Sequence, residues 1–182
     1  MKLEEKTIRK NIIYNGKIIN LRRDDAELPD GNPCIREVVE HPGGVCIAAL
    51  TDKNELIFER QFRYPYMDIL LELPAGKLER GEDPLLASKR ELLEETGYEA
   101  EKYISLGKFY PSCGYTDEII YLYLAKNLTF KGQKLDEDEF INIEKIPLEK
   151  AVEMVTANEV PDGKTQASVL KTYFMLKAGK AE

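Results

Sequence analysis

The rhythm of apolar and polar positions changes several times along the chain, and each change marks an element. Ile18-Ile19-Asn20-Leu21-Arg22-Arg23 reads as extended, Pro29-Asp30-Gly31-Asn32 turns it, and residues 34–40 resume the extended pattern. Pro42-Gly43-Gly44 breaks the chain before the apolar run Val45-Cys46-Ile47-Ala48-Ala49-Leu50, a buried-strand candidate. Thr51-Asp52-Lys53-Asn54 then turns into a strand over residues 56–63, and residues 70–73 make a short strand ending in Pro74-Ala75-Gly76. The clearest helix comes next, with Asp83 as N-cap, Pro84 in its first turn and Gly97 where a left-handed C-terminal residue is wanted. Strands around residues 104–109 and 119–125 follow, and an acidic stretch over residues 136–139 leads into residues 140–143. Helices over residues 148–157 and 165–177 close the chain. This order predicts an α/β sandwich with a mixed sheet, behind an N-terminal β region over residues 1–42.

Composition narrows the classes. At 182 residues with 43% hydrophobic positions, the chain suits one domain with an extension, not a disordered segment. A net charge of -7 excludes a general nucleic-acid binder, which needs clustered Lys and Arg. The three cysteines, Cys34, Cys46 and Cys113, lack metal-site spacing and read as reduced thiols. The N-terminus carries no apolar signal region and no apolar run reaches membrane-spanning length, so a cytoplasmic protein with no membrane partner is expected. The single His41 precedes Pro42 at a turn and reads as structural.

The chemistry concentrates in residues 76–98, GKLERGEDPLLASKRELLEETGY. At 100° per residue, Glu91, Glu94 and Glu95 fall within about a 100° arc of one helix face. Like charges stacked this way repel, and most such runs are only solvated surface. Beside the small Ala87 and Ser88, however, the same carboxylates form the hard-oxygen set that Mg²⁺ or Mn²⁺ requires. The surroundings decide between the two readings. Gly76, Glu82, Arg90, Glu91, Leu92, Glu94, Glu95 and Gly97 satisfy G-x5-E-x7-R-E-U-x-E-E-x-G-U, where U is a bulky apolar residue. Tyr98 fills the last apolar slot.

This segment resembles the Nudix box at every fixed position. The resemblance implies a Nudix-type α/β/α sandwich with a mixed sheet and a hydrolase of pyrophosphate linkages that uses Mg²⁺, with Mn²⁺ as a substitute. It also implies site roles. Glu91 and Glu95 would be direct metal ligands, Glu94 a further or water-mediated ligand with a part in catalysis, and the Ala75 carbonyl a backbone ligand. Glu82 and Arg90 would be a structural pair, while Gly76 and Gly97 supply backbone freedom.

Beyond the box the layout resembles the ADP-ribose pyrophosphatase branch: REVVEHPGG at residues 36–44, QFR at 61–63, LPAG at 73–76 and DEDEF at 136–140. In that branch an N-terminal arm exchanges across a homodimer and helps build the partner's pocket. By similarity Arg36 and Glu37 would meet substrate, and Arg63 would hold a phosphate through its bidentate donors. Ser112, Gly114 and Glu118 match the substrate-recognition loop, but Cys113 stands 16 residues after Gly97, where the branch usually has proline. The resemblance makes Glu137 the general base and Glu139 a metal ligand. The expected domains are an arm over residues 1–42 and a hydrolase domain over residues 43–182. The expected reaction is hydrolysis of ADP-ribose to AMP and ribose 5-phosphate. Alternatives are another nucleotide sugar or dinucleotide, or an inactive Nudix-fold binding module. With no Trp present, adenine stacking would fall to Tyr, Phe or Arg.

Overall fold

In the computed structural model, residues 2–135 and 139–180 are described. The chain divides into two compact units, one built from Met1–Gly43 with Tyr110–Ile119, the other from Gly44–Phe109 with Ile120–Glu182.

The first unit is a four-stranded antiparallel sheet. Its strands are β1 (Lys6–Arg9), β2 (Ile12–Asn15), β3 (Asn20–Glu27) and β4 (Pro33–Glu40), with β3 pairing all the others. A bridge between Val39 and Thr116 docks the 110–119 loop onto β4. Apolar residues Ile8, Ile12, Ile13, Tyr14 and Ile18 stay exposed, so this small sheet leaves much of its apolar surface uncovered, although Ala26 is buried.

The second unit is the α/β sandwich. Its main sheet runs β8 (Ala75–Lys77), β5 (Gly44–Ala49), β10 (Ile120–Phe130), β9 (Tyr98–Phe109), and β5 and β10 are parallel. β5 is buried at all six positions because it is covered on both faces. Val45, Ile47 and Ala49 enter a core with Ala87 and Leu92 of α1 (Pro84–Thr96), while Cys46 and Ala48 enter the core that holds Val169 of α3 (Gly163–Lys177). That double coverage explains the unbroken apolar run, since alternation appears only when one face is wet. A second, antiparallel sheet of β11 (Ile141–Pro147), β6 (Glu55–Arg63) and β7 (Asp68–Glu72) carries α2 (Leu148–Thr156) at its end.

The mixed sheet is therefore accompanied by a separate three-stranded one, and β9 and β10 extend beyond the spans read from sequence, starting at Tyr98 and ending at Phe130. Their outer halves, paired Tyr98 to Phe130, hold polar residues whose alternation is weak. The three cysteines are free thiols. His41 Nδ1 accepts the Gly43 amide at 3.1 Å, which fixes the turn at Pro42.

Candidate active site

The helix that carries the box is set by its ends. The Asp83 carboxylate accepts the Leu85 and Leu86 amides at 2.9 and 3.1 Å, Pro84 occupies the first turn, and Gly97 closes the helix at φ 75°. This register sends Ala87 and Leu92 into the core. It also carries Glu91 and Glu95, one turn apart, out of solvent, leaving them 8% and 2% exposed. Glu94 stays at the rim. The arc is not a solvated face, because two of its three carboxylates are buried.

What they are buried against explains two further box residues. The Glu91 carboxylate lies directly on Gly76, where a Cβ would fall 1.9 Å from Glu91 Cδ, so no larger residue fits without moving it. Glu95 Oε2 accepts the Ala75 amide at 3.0 Å. The 73–76 segment is itself held from several sides. The Leu73 amide donates to Thr165 Oγ1 at 2.9 Å, the Ile47 amide donates to the Pro74 carbonyl at 2.9 Å, and Ala75 pairs with Cys46. Three elements, α1, β5 and α3, thus fix the backbone around residue 75 beside Glu95.

Arg90 is the local counter-charge. Its Nε and Nη2 donate to the two Glu82 oxygens at 3.0 and 2.9 Å, while Nη1 donates to Glu91 at 2.8 Å and Glu94 at 3.2 Å. The Glu82 bonds raise the affinity of the guanidinium for its proton, and the same bonds hold the Glu82 carboxyl below its usual range. Arg90 cannot reach everything. Burial pushes Glu95 well above the ordinary carboxylate range, and the charges of Glu59, Glu91 and Glu139 push it further. Burial also raises Glu91, with Arg90 opposing.

The loop after β10 arrives at the C-terminal end of α1. The Lys131 and Gly132 amides donate to the Gly97 carbonyl and the Lys134 amide to that of Glu94, at 2.7, 3.3 and 3.0 Å. The Gln133 side chain donates to the Glu95 carbonyl. The otherwise unpaired carbonyls of a helix end thereby bind the loop. Glu139, beyond it, adds charge to the fields at Glu59, Glu91 and Glu95. Glu137 lies outside the described residues. Among the described residues, no three His, Cys, Asp or Glu side chains already surround one point, and Arg90 binds Glu91 and Glu94.

One group was not legible in the sequence. Glu59 on β6 and Glu72 on β7 are paired across the hairpin, and both are buried. Arg63 donates to both Glu72 oxygens at 2.7 and 2.8 Å, and Lys164 binds Glu72 and, at 3.0 Å, Asp162. Burial pushes Glu72 up, but Arg63 and Lys164 win and leave it below its usual range. Arg63 is thus bound to a carboxylate here. Glu59 has no such partner, and burial pushes its carboxyl up to about 8.

The remaining candidates fall in the first unit. Arg36 donates to Glu5 at 2.8 Å through Nε and to the Ile35 carbonyl at 2.9 Å, and Glu37 is exposed. The Ser112 carbonyl accepts the Tyr115 and Thr116 amides at 3.2 Å, closing the loop that contains Gly114. Glu118 lies 3.4 Å from His41 Nδ1. The Val39 amide donates to the Tyr115 carbonyl at 2.8 Å, so this loop and β4 form one edge.

Comparison with known proteins agrees with this geometry. The NUDIX domain profile matches residues 40–169, and that of the nucleoside diphosphate sugar hydrolase N-terminal domain matches residues 5–39. An ADP-ribose pyrophosphatase of Bacillus subtilis (strain 168) is 46% identical over 177 residues, covering 96% of this chain and 95% of the relative. A methanol dehydrogenase activator of Bacillus methanolicus is 44% identical, covering 91% of each chain. An ADP-ribose pyrophosphatase of Mycobacterium tuberculosis (strain ATCC 25618 / H37Rv) is 35% identical, covering 92% of this chain and 82% of the relative. A crystal structure of an ADP compounds hydrolase superposes over all of both chains with a TM-score of 0.85 at 19% identity, which shows the fold. With an intact box folded as a loop–helix–loop and a family match across most of its length, the chain belongs to the Nudix hydrolase family, in the branch that contains these ADP-ribose pyrophosphatases.

Proposed function

We propose that the chain hydrolyses the pyrophosphate bond of ADP-ribose, giving AMP and ribose 5-phosphate, with Mg²⁺ bound and Mn²⁺ as a substitute. The observation that carries this is the burial of Glu91 and Glu95 against Gly76 and Ala75 without a cation of their own beyond Arg90. Carboxylates with raised proton affinity, a fixed backbone carbonyl beside them and no sulfur or imidazole within the set fit a hard divalent cation. Glu91, Glu95 and the Ala75 carbonyl would hold it, with Glu94 and Glu139 as outer or additional oxygen donors. Such a cation neutralises a diphosphate and lowers the pKa of bound water.

The chain's own residues supply the rest. Glu82 and Arg90 keep the 77–83 loop folded on α1. Glu137 takes the proton of the attacking water as general base. Arg63, Arg36 and Glu37, with Ser112, Gly114 and Glu118, contact substrate. The arm over residues 1–42 exchanges across a homodimer, and its exposed Ile8, Ile12, Ile13 and Tyr14 suit such a partner. The protein works in the cytoplasm, and no helix among its described residues is long and apolar enough to cross a membrane.

A second reading keeps the chemistry and changes the substrate to another nucleotide sugar or a dinucleotide. It is favoured by Cys113 in the recognition loop and by GDP-mannose pyrophosphatases of Yersinia at 33% identity over 143 residues. A panel of nucleoside diphosphate compounds at fixed Mg²⁺ separates the two. AMP release from ADP-ribose at a kcat/KM at least tenfold above that for GDP-mannose and dinucleotides supports the first reading, and the reverse order refutes it.

A further inference from the structure

Glu59 is fully buried, and neither carboxylate oxygen has a hydrogen-bond partner among the described residues. An unpaired buried carboxylate is among the costliest groups a core can hold, so a native one needs a cause. Its neighbours supply one. On β6 the side chains of Ile57, Glu59, Gln61 and Arg63 share a face by strand alternation. Ile57 packs in the core cluster that contains Ala87 and Leu92 of the box helix, so Glu59 follows on the side that faces α1. After burial, Glu59 is the largest influence raising Glu95, and Glu139 acts on both.

The nearby cations do not answer it. Arg63 is the opposite charge that acts on it most strongly, yet both of its bonds go to Glu72, and Lys164 divides between Glu72 and Asp162. Arg90 is committed to Glu82, Glu91 and Glu94. Glu59 and Glu95 are therefore two buried acids close enough for the charge of one to act on the other, and among the described residues neither is ion-paired with a side-chain cation. An anionic substrate would worsen that balance, whereas a divalent cation removes it.

We infer that Glu59, from β6 and outside the box, is a further carboxylate of the divalent-cation site, acting with Glu91 and Glu95. This rests on the proposed metal-dependent reading and adds to it a residue that the box pattern does not contain. Glu59 supplies an oxygen ligand to the cation or to one of its waters. The strand that carries Arg63 thereby contributes to the cation site as well.

The test is direct Mn²⁺ binding, by calorimetry and by the electron paramagnetic resonance of free Mn²⁺, on metal-free wild type, Glu59→Gln, Glu59→Leu and Glu91→Gln at pH 7.5. Melting temperatures with and without Mn²⁺ accompany it. Both Glu59 variants should melt, metal-free, at or above the wild-type temperature, because a buried acid without hydrogen-bond partners has gone. Their Mn²⁺ affinity should fall at least tenfold, as loss of a metal-site group typically costs roughly 10- to 100-fold, and the Mn²⁺-induced rise in melting temperature should shrink. If either folded variant binds Mn²⁺ within twofold of wild type while Glu91→Gln does not, Glu59 is only a buried acid and the inference falls, leaving the proposed function intact. If wild type itself binds no Mn²⁺, or Glu91→Gln binds as wild type does, the proposed cation site fails and the inference fails with it.

Discussion

Replacing Gly76 by Ala is the smallest change that moves a proposed cation ligand. Gly76 is not in the left-handed region, so an alanine there suits the backbone, and its one added carbon is the whole perturbation. That carbon would lie 1.9 Å from Glu91 Cδ and 2.0 and 2.3 Å from its two oxygens, whereas ordinary contact begins at 3.4 Å. The carboxylate must retreat by about 1.5 Å, the gap between 1.9 and 3.4 Å. A misplacement of roughly 1 Å can cost about a hundredfold in rate, so Mg²⁺-dependent kcat/KM for ADP-ribose should fall by about that factor or more. The fold should tolerate the change, because the atoms displaced are the far end of a flexible side chain and not backbone. We expect a melting temperature within about 4 °C of wild type, the shift that roughly 1 kcal/mol gives in a chain of this size. Steady-state kinetics with a Mn²⁺ titration and a thermal melt settle it. A folded variant retaining activity within threefold would show that the position of the Glu91 carboxylate is immaterial, and Glu91 would lose its place as a ligand.

Four further outcomes are expected. Glu95→Gln should lower Mg²⁺-dependent turnover by roughly a hundredfold or more while the metal-free protein melts no lower, since the amide oxygen still accepts from Ala75; near-normal turnover removes Glu95 from the site. Gly97→Ala forces a non-glycine residue to φ 75° with its Cβ 2.6 Å from the Gln133 nitrogen, costing about 2 kcal/mol or more, read as a fall of roughly 4–8 °C in melting temperature; an unchanged melt contradicts the cap. Glu59, Glu91 and Glu95 have raised folded-state pKa values, so between the ordinary carboxyl value of 4.5 and about 8 the folded chain binds more protons than the unfolded one. Stability of the chelated protein should therefore decline from pH 5 to 8.5, as Glu72 and Glu82 are lowered and lose their contribution only below 4.5; urea midpoints that climb over that range refute the burial assignment. Light scattering at micromolar concentration should give a dimer, and deletion of residues 1–42 a species that no longer pairs through the arm; a monomeric full chain rules out arm exchange.

Local rules made the box helix legible. Asp83, Pro84 and Gly97 define its ends chemically, and fixed spacing brought Gly76 and the glutamates together. Burial was harder to read, because a 100° arc of carboxylates looks alike whether it faces water or a neighbouring strand. The tertiary contacts of Glu91 with Gly76 and of Glu95 with the Ala75 amide distinguish the two. β1 and β2 are four residues each with exposed side chains, so no buried face imposes a pattern on them. β8 is three residues and owes its existence to pairing with β5. Glu59 and Arg63 look like outward positions on an alternating strand. The burial of Glu59 and the half-burial of Arg63 go with Glu72 across the hairpin and with Lys164, which is 92 positions from Glu72. One clue was available, since Ile57 on the same face is a core residue, which already argued that this side of β6 is dry.

Arg90 shapes how the acidic turn is held when no divalent cation is bound. By bridging Glu82, Glu91 and Glu94 it serves as an internal placeholder cation, so the repulsion that would pry the acidic turn apart is largely answered within the polypeptide. Small zinc domains collapse when stripped of their ion. On the proposed cation-dependent reading, this architecture would separate assembly from loading: depletion of divalent ions would leave a shaped but idle catalyst, and restoring them would revive it without a refolding step.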